Sequence, residues 1–405
     1  MGARMHYAVP IVLMRQGLLA RFYTDLFLPQ EGFGKTIKTL LEKFTIRELQ
    51  QVLGRSSNDL PANRVRANNL LGFQYALSRK LNSNQDQLDQ VYSKYSSRFA
   101  AWVANDILED IKTVYAINST ALELFHKAKS LNICCILEQI IAPFTVLDRL
   151  LQEEYAIWIG WEETPPARYG TALSERESRE WALSDKIFAA SQFVVDELVG
   201  CGVPRERCII VPYTVDVNRF TPKSIDAKIN RSRKLKVLFV GSVSLRKGIQ
   251  YLSEALNILD SDSFEVKIAG RSFLNIEANR RLQEHCQLLG LVPRSQIIEL
   301  FQWADLLVLP SICEGSALVT YEALSSGLPV VTTPNAGSVV VDGMDGFIIP
   351  IRDSEALARV LEKALDEPEM LASMSLAARR HAERELSLEA YQERLVRAII
   401  ESHSL

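Results

Sequence analysis

Short apolar runs rich in β-branched residues alternate with amphipathic helical segments along most of the chain. In the first half these runs are TVYAIN (113–118), NICCILE (132–138), DKIFAAS (185–191) and RCIIVP (207–212). In the second half they are KLKVLFVG (234–241), FEVKIAG (264–270), ADLLVLPS (304–311) and LPVVTT (328–333). Strands separated by helices are typical of βαβ units. The sequence therefore predicts an α/β fold with parallel sheets.

The two sets of strands are separated by a polar, turn-rich and basic stretch at 213–234. Each set is large enough for its own doubly wound sheet. We expect a first domain over 1–221, with a helical insertion at 31–104, and a second domain over 222–385. A last helix would follow at 386–405. The segment HYAVPIVLMRQ predicts an early helix, preceded by a missing or very short strand.

Bulk composition argues against several classes of protein. The 405 residues carry a formal net charge of −3, without the basic stripe that is typical of a nucleic-acid partner. No run approaches the roughly 20 apolar residues of a membrane span, and MGARMHYAVP lacks an apolar signal core. The six cysteines and five histidines lack metal-ligand spacing, which predicts reduced thiols and no metal site. We expect a cytoplasmic protein.

A strand-to-helix turn is predicted in VLFVGSVSLRKGIQYLSEAL. The strand would end at Gly241, and the helix would open at Gly248, directly after Lys247. Backbone N–H groups at a helix N-terminus suit an anionic phosphate, and Lys247 adds a full charge. An ordinary loop with solvated cations explains this segment equally well.

Two glutamates eight positions apart, Glu314 and Glu322, lie in the apolar stretch CEGSALVTYEALSSGLPVVTT (313–333). Glu314 would follow the carboxyl end of a strand, where ligands bind in open α/β sheets. Glu322 would lie roughly 9 Å further, on a helix that begins near Ser316 and ends before Gly327. An ionised carboxylate there can accept two hydrogen bonds from a vicinal diol such as a ribose. Taken singly, each glutamate is explained as well by the helix dipole or by solvation.

Taken together, these segments resemble the carboxyl-terminal domain of retaining family 4 glycosyltransferases of the GT-B fold. The resemblance follows the order Gly241, Lys247-Gly248, LGLVPRSQIIELFQWADLLVLPS, Glu314-x7-Glu322 and GLPVV. It continues through TTPNAGSVVVDGMDGFIIPIRDSEALA (332–358), and DKIFAASQFVVDELVGCGVPRERCIIVPYTVDVNRFTP (185–222) looks like an interdomain crossing. It covers residues 185–400 well and the first half more loosely. The family implies two Rossmann-like domains that face each other across a cleft, with the last helix crossing back to the first domain.

The resemblance implies roles for individual residues. Lys247 would bind the diphosphate, Glu314 would contact the donor sugar, and Glu322 would hold the ribose hydroxyls. The backbone of Ser316, Ala317 and Leu318 would face the sugar and diphosphate. Gly270 and the Leu291-Val292-Pro293 stretch would lie beside the base, and Gly241, Ser242 and Arg246 would complete the nucleotide-sugar site.

Some positions depart from the family pattern. Where the family usually has an arginine after Gly241, this chain has Ser242, and Arg246 is the predicted substitute for its charge. Asp216 is preceded by Tyr213-Thr214 in place of the usual Asn-Gly. On the acceptor side, Glu138 stands near the position of the family's histidine, with Gln139 as a second candidate. The family's glycine-rich first loop corresponds to Gly2-Ala3-Arg4.

Two other motifs favour structural interpretations. PQEGFGKT (29–36) ends like a P-loop, but Pro29 stands where that motif requires glycine, so a turn before a helix is predicted. DSD (260–262) resembles a metal-binding Asp-x-Asp, but it would lie on the edge of the sheet away from the ligand end. A nucleotide hydrolase built on Lys35 is therefore a remote alternative.

We expect a retaining hexosyltransferase that uses a UDP-, GDP- or ADP-linked sugar and no metal. Its acceptor would be a glycan or lipid-linked glycan, in synthesis of cell-surface or extracellular polysaccharide. No nucleic-acid partner is expected, whereas peripheral contact with the inner membrane face is compatible with the helical insertion. The alternative is a catalytically silent nucleotide-sugar-binding protein.

Overall fold

A computed structural model describes residues 4–28, 55–82, 85–108, 110–165, 170–222 and 234–403. The chain divides into two compact units. The first unit comprises Met1–Glu138, Arg168–Phe188 and Gln392–Leu405, and the second unit comprises Gln139–Ala167 and Ala189–Tyr391.

The elements described before residue 222 are, in chain order, α1 (Ala8–Arg15), β1 (Phe22–Thr24), β2 (Val65–Ala67), α2 (Asn69–Leu81), α3 (Gln85–Asn105), β3 (Thr113–Ile117), α4 (Leu122–Ser130), β4 (Cys134–Gln139), α5 (Phe144–Ile157), α6 (Thr171–Leu183), β5 (Lys186–Ala189), α7 (Gln192–Gly200) and β6 (Cys208–Ile210). The elements that follow are β7 (Leu235–Val240), α8 (Ile249–Ile258), β8 (Phe264–Ala269), α9 (Ile276–Gln283), β9 (Gln287–Gly290), α10 (Ile297–Trp303), β10 (Leu306–Leu309), α11 (Leu318–Ser325), β11 (Val330–Thr332), β12 (Gly346–Ile348), α12 (Ser354–Asp366), α13 (Pro368–Glu385) and α14 (Leu388–Glu401).

The second unit is built on a six-stranded sheet in the order β12-β11-β10-β7-β8-β9. Neighbouring strands of this sheet pair in parallel. The central strands carry the core: Val237, Phe239 and Val308 are fully buried. Near-continuous apolar strands are what a parallel sheet covered on both faces requires. This confirms the predicted α/β fold and its parallel sheets.

The strands of the first half form a four-stranded sheet in the order β3-β4-β5-β6, and β1 pairs with β2 in a separate parallel ribbon. All eight predicted strands are present, with ends shifted by one or a few residues, and the predicted early helix is α1. The described part of the predicted helical insertion contains α2 and α3. It also contains β2, a short strand that the prediction of a helical insertion did not include. β2 has only three residues and pairs with a strand 43 positions earlier in the chain, so it leaves too little local sequence pattern to be recognised.

The compact units divide the chain differently from the predicted boundary at 221/222, because Gln139–Ala167 and Ala189–Tyr391 lie in the second unit. In α5, the fully buried Glu154 carboxylate accepts hydrogen bonds from Gln250 and Tyr251, at 2.8 Å each. It also accepts one from Nε of Arg352 at 2.5 Å. These bonds fix α5 to the second unit. At the other end of the chain, Gln392–Leu405 belongs to the first unit.

Candidate active site

The candidate site lies where the strand order of the second unit reverses direction, between the neighbouring strands β7 and β10. Ligands of open α/β sheets bind at such a switch point, beyond the carboxyl ends of the strands. The loop from β7 to α8 carries Arg246 and Lys247, and the loop from β10 to α11 carries Glu314. The two loops are joined directly, because the Ile312 amide donates to the Arg246 carbonyl oxygen at 2.9 Å.

A close packing requirement fixes the first of these loops. Gly248 adopts φ +74°, and a Cβ added there would lie 1.9 Å from the carbonyl oxygen of Pro310. Only glycine fits both the left-handed backbone and this approach. The turn at Gly248 therefore brings Lys247 against the end of β10.

Glu314 joins the two basic residues of the other loop. Nζ of Lys247 lies 2.8 Å from Oε1 of Glu314, and Nη1 of Arg246 contacts the same oxygen. Arg246 also donates to the Cys313 carbonyl oxygen at 3.2 Å. The Lys247 and Glu314 side chains are only 10% and 13% exposed. The cluster therefore contains two cations and one carboxylate, largely shielded from solvent. Its net charge is +1.

Burial alone would raise the pKa of the Glu314 carboxyl group. The adjacent charges of Lys247 and Arg246 outweigh this effect and hold the pKa of Glu314 below its ordinary value. Glu314 is therefore ionised at neutral pH. Its negative charge partly neutralises the charges of Lys247 and Arg246.

Glu322 lies on α11, and its side chain is 16% exposed. Burial raises the pKa of its carboxyl group, although Arg294, whose Nη2 is 3.1 Å from Oε1, acts in the opposite direction. Arg294 belongs to the segment that follows β9. Sequence reasoning had not assigned Arg294 to the site, since no local pattern connects residues 28 positions apart.

The backbone at 316–318 was predicted to face the sugar. Part of it is hydrogen-bonded to other segments of the protein. The Ala317 amide donates to the Ala336 carbonyl oxygen at 3.1 Å, and α11 begins at Leu318, two residues later than predicted. The Ser316 hydroxyl donates to the Gly337 carbonyl oxygen at 2.7 Å. The turn at Pro334–Ala336 therefore holds this loop in place. Sequence reasoning had not assigned that turn to the site.

The residues predicted beside the nucleotide lie at the carboxyl ends of β7, β8 and β9. Gly241 directly follows β7, and its amide donates to the Ala269 carbonyl oxygen at 2.9 Å. A Cβ on Gly270 would lie 1.6 Å from the Gly241 carbonyl oxygen, so these two turns are in contact. Ser242 follows Gly241, and the half-buried Val292 follows β9. The structure thus brings together the predicted donor-side residues within one unit.

The predicted acceptor-side residues Glu138 and Gln139 end β4, with Glu138 assigned to the first unit and Gln139 to the second. Glu138, near the end of β4, is buried, and its Oε2 accepts a hydrogen bond from the Tyr115 hydroxyl at 3.0 Å. Gly2 and Lys35 lie outside the described residues. Among the described residues no cluster of three or more potential metal ligands occurs, and no helix is long and apolar enough to cross a membrane. The DSD segment lies between α8 and β8, as predicted, with the Asp262 side chain 95% exposed.

Residues 221–381 match the family described as Glycosyl transferases group 1. The chain is 29% identical over 226 residues to the D-inositol 3-phosphate glycosyltransferase of Streptomyces avermitilis, which covers 50% of this chain and 49% of the relative. It is 26% identical over 224 residues to the amylovoran biosynthesis glycosyltransferase AmsK of Erwinia amylovora, with 52% and 54% covered. The chain thus spans about half the length of these curated relatives.

Solved structures extend the likeness in fold to nearly the whole chain. Anabaena Alr3699/HepE in complex with UDP-glucose superposes with a TM-score of 0.62 and 16% identity, covering 99% of this chain and 96% of the other. At that identity the likeness establishes the fold, which is that of GT-B glycosyltransferases.

Proposed function

We propose that this protein is a retaining glycosyltransferase that moves a hexose from a nucleotide-diphosphate sugar to a glycan or lipid-linked acceptor. The proposal rests chiefly on the Lys247–Glu314–Arg246 cluster at the switch point of the second unit. Glycosyltransferase relatives named for polysaccharide biosynthesis support the proposed acceptor class. HepE, whose structure contains UDP-glucose, supports a uridine diphosphate sugar as the first donor to test.

The proposed chemistry assigns a separate task to each charged group. As the bond between the sugar's anomeric carbon and the diphosphate breaks, negative charge grows on the departing phosphate oxygen. Lys247 and Arg246 would stabilise this charge, and preorganised charges in a desolvated site do so effectively. Glu314 would accept hydrogen bonds from sugar hydroxyls, and Glu322 would accept them from the ribose diol. The acceptor oxygen would form the new bond to the anomeric carbon, and the proton of the acceptor hydroxyl would pass to the departing phosphate oxygen.

Retention of the anomeric configuration and a metal-free reaction are parts of the proposal that rest on the family resemblance. The proposed cytoplasmic location rests on the same resemblance. So does the proposed peripheral contact with a membrane, where the enzyme would meet a lipid-linked acceptor. The net positive charge of the cluster favours a diphosphate without a bridging cation. Activity in excess EDTA would therefore equal activity without EDTA. If the reaction retains configuration, NMR would show that the product anomer matches the donor anomer.

The decisive experiment is a screen of the full chain against UDP-, GDP- and ADP-sugars, with thermal stabilisation and sugar release measured in parallel. We expect one nucleotide to stabilise the protein and to support slow sugar release. Glu322→Ala should weaken donor binding by about tenfold or more, because it removes two hydrogen bonds to the ribose. Glu314→Gln should lower turnover more than binding.

Glu355→Ala is the matched control, since this glutamate is 80% exposed on α12 and should leave both readouts unchanged. Stabilisation by all three nucleotides that persists in Glu322→Ala would contradict the site. Specific binding without sugar release, with water or with any glycan acceptor, would instead identify a nucleotide-sugar-binding protein.

A further inference from the structure

The outward face of α2 carries an unusual stripe of large apolar side chains. Leu70, Phe73, Leu77 and Leu81 are exposed by 69%, 52%, 59% and 75%. Their spacings of three, four and four residues place them on one side of an α-helix. We call these four residues the α2 stripe. Contiguous apolar surface of this kind on a protein marks an interaction site.

The opposite face of α2 is firmly packed, so the exposure is not that of a loose helix. Leu71 and Gly72 are buried, and a Cβ on Gly72 would lie 2.5 Å from the Asp25 carbonyl oxygen. The Ser78 hydroxyl lies 2.9 Å from the Tyr95 hydroxyl on α3. The helix therefore uses its inner face for the fold and presents the stripe to its surroundings.

The chain segment that carries the α2 stripe is basic. Between residues 61 and 82 there are four cations and no aspartate or glutamate, and all four cations are exposed: Arg64, Arg66, Arg79 and Lys80. Lys80 follows Phe73 by seven residues, about two turns, so it flanks the stripe. An apolar helical face bordered by cations fits the boundary between lipid headgroups and acyl chains of an anionic bilayer.

We propose that the α2 stripe is a docking surface for an anionic lipid bilayer, on which α2 lies parallel to the membrane plane. A second copy of this chain fits less well, because a symmetric contact would bring the basic segment of one copy towards the same basic segment of the other. With 13 residues, α2 is too short to span a bilayer. The inference rests on the proposed function only for its purpose, which is access to a lipid-linked acceptor.

The test is sedimentation of the full chain with vesicles of phosphatidylcholine alone or containing phosphatidylglycerol. We expect binding to the anionic vesicles, weakened by salt because the cations contribute. Phe73→Ser combined with Leu77→Ser should lower the partition coefficient by about tenfold or more, since the variant lacks two apolar side chains that would be buried in the bilayer. Arg66→Gln combined with Lys80→Gln should weaken binding to anionic vesicles only.

Leu376→Ser is the matched control, because this leucine is 51% exposed on α13 and lies outside the stripe. Equal binding by the wild type and the Phe73/Leu77 variant would overturn the proposal, as would a folded wild type that binds neither vesicle. A lipid-free dimer that the Phe73/Leu77 variant abolishes would overturn it in favour of self-association. Glu322→Ala should still bind vesicles, so failure of the donor site and failure of the docking surface are distinguishable.

Discussion

The pairing of Glu322 with Arg294 would make the proposed donor binding sensitive to pH. Burial raises the pKa of the Glu322 carboxyl group above its ordinary value of 4.5, and the Arg294 charge restrains that rise. Only the ionised carboxylate accepts both hydrogen bonds from a ribose diol. We therefore expect donor affinity to fall on acidification, beginning at a higher pH than an ordinary glutamate would give. Replacing Arg294 with glutamine should move that fall to still higher pH and weaken binding about two- to fivefold at neutral pH.

Stability should change with pH in the opposite direction at this residue. A folded-state pKa above the unfolded-state value means that the folded protein binds more protons in this range, so the Glu322 contribution to unfolding free energy grows as pH falls. Titration calorimetry and urea unfolding across pH would measure the two effects separately. Arg294→Lys should restore most of the binding, and Arg280→Gln on α9 should change neither profile. Identical profiles for the wild type and Arg294→Gln would contradict this coupling.

How far the sequence predicted the site depends on the range of the contacts. The sequence makes three site residues recognisable, because each follows or lies near a strand–turn–helix pattern. These residues are Lys247, Glu314 and Glu322. Arg294 and the turn at Pro334–Ala336 contact the site only through folding of distant segments. No spacing rule connects them to it. A resemblance to known proteins identifies positions in a motif, whereas such supporting contacts require coordinates.

At the scale of elements, the turn between β7 and α8 depends on Gly248. Gly248→Ala would force an alanine into the left-handed region at φ +74° and push its Cβ against the Pro310 carbonyl oxygen. The backbone cost alone is about 1–2 kcal/mol, and the clash adds to it, so we expect a loss of about 2–4 kcal/mol of unfolding free energy. Donor affinity should fall as well, because Lys247 is displaced. Urea denaturation and donor titration would measure both.

Gly200→Ala is the control for this substitution. Gly200 ends α7 without a positive φ, and a Cβ there would meet no atom within 4 Å. We expect a neutral or slightly stabilising change, because alanine restricts the unfolded chain. A Gly248→Ala protein as stable as Gly200→Ala would mean that the two loops are not packed as described.

Strand prediction succeeded and failed for a physical reason. Apolar strands such as β7 and β10 lie in the middle of the sheet, and their buried, apolar composition reveals them although β10 has only four residues. The strands missed in the second unit, β9 and β12, are the two edge strands, with four and three residues. An edge strand needs only a few backbone hydrogen bonds to one neighbour, so it leaves little pattern in the sequence.

At the scale of the whole molecule, Glu154 joins segments that are far apart in the chain. Its carboxylate, inaccessible to solvent, binds Gln250, Tyr251 and Arg352, which lie 96 to 198 residues away. Arg352 itself adopts φ +63°, an unfavourable conformation for arginine that persists where surrounding contacts hold it. This network explains why α5 belongs to the second unit although the chain pattern placed it in the first domain.

Glu154→Ala should therefore destabilise the second unit as a whole. It leaves the partly exposed Arg352 and two polar groups without their shared acceptor, a change that costs about 2–4 kcal/mol. The neighbouring Glu153→Ala is a closely matched control: Glu153 also pairs with Arg352, at 2.8 Å, but its side chain is 39% exposed, so its loss should cost less than about 1 kcal/mol. Urea unfolding would give the two values, and hydrogen exchange would show whether α5 and α8 lose protection together. Equal costs for the two substitutions, or loss of protection in α5 alone, would mean that α5 is only loosely attached and that the Glu154 network does not hold the second unit together.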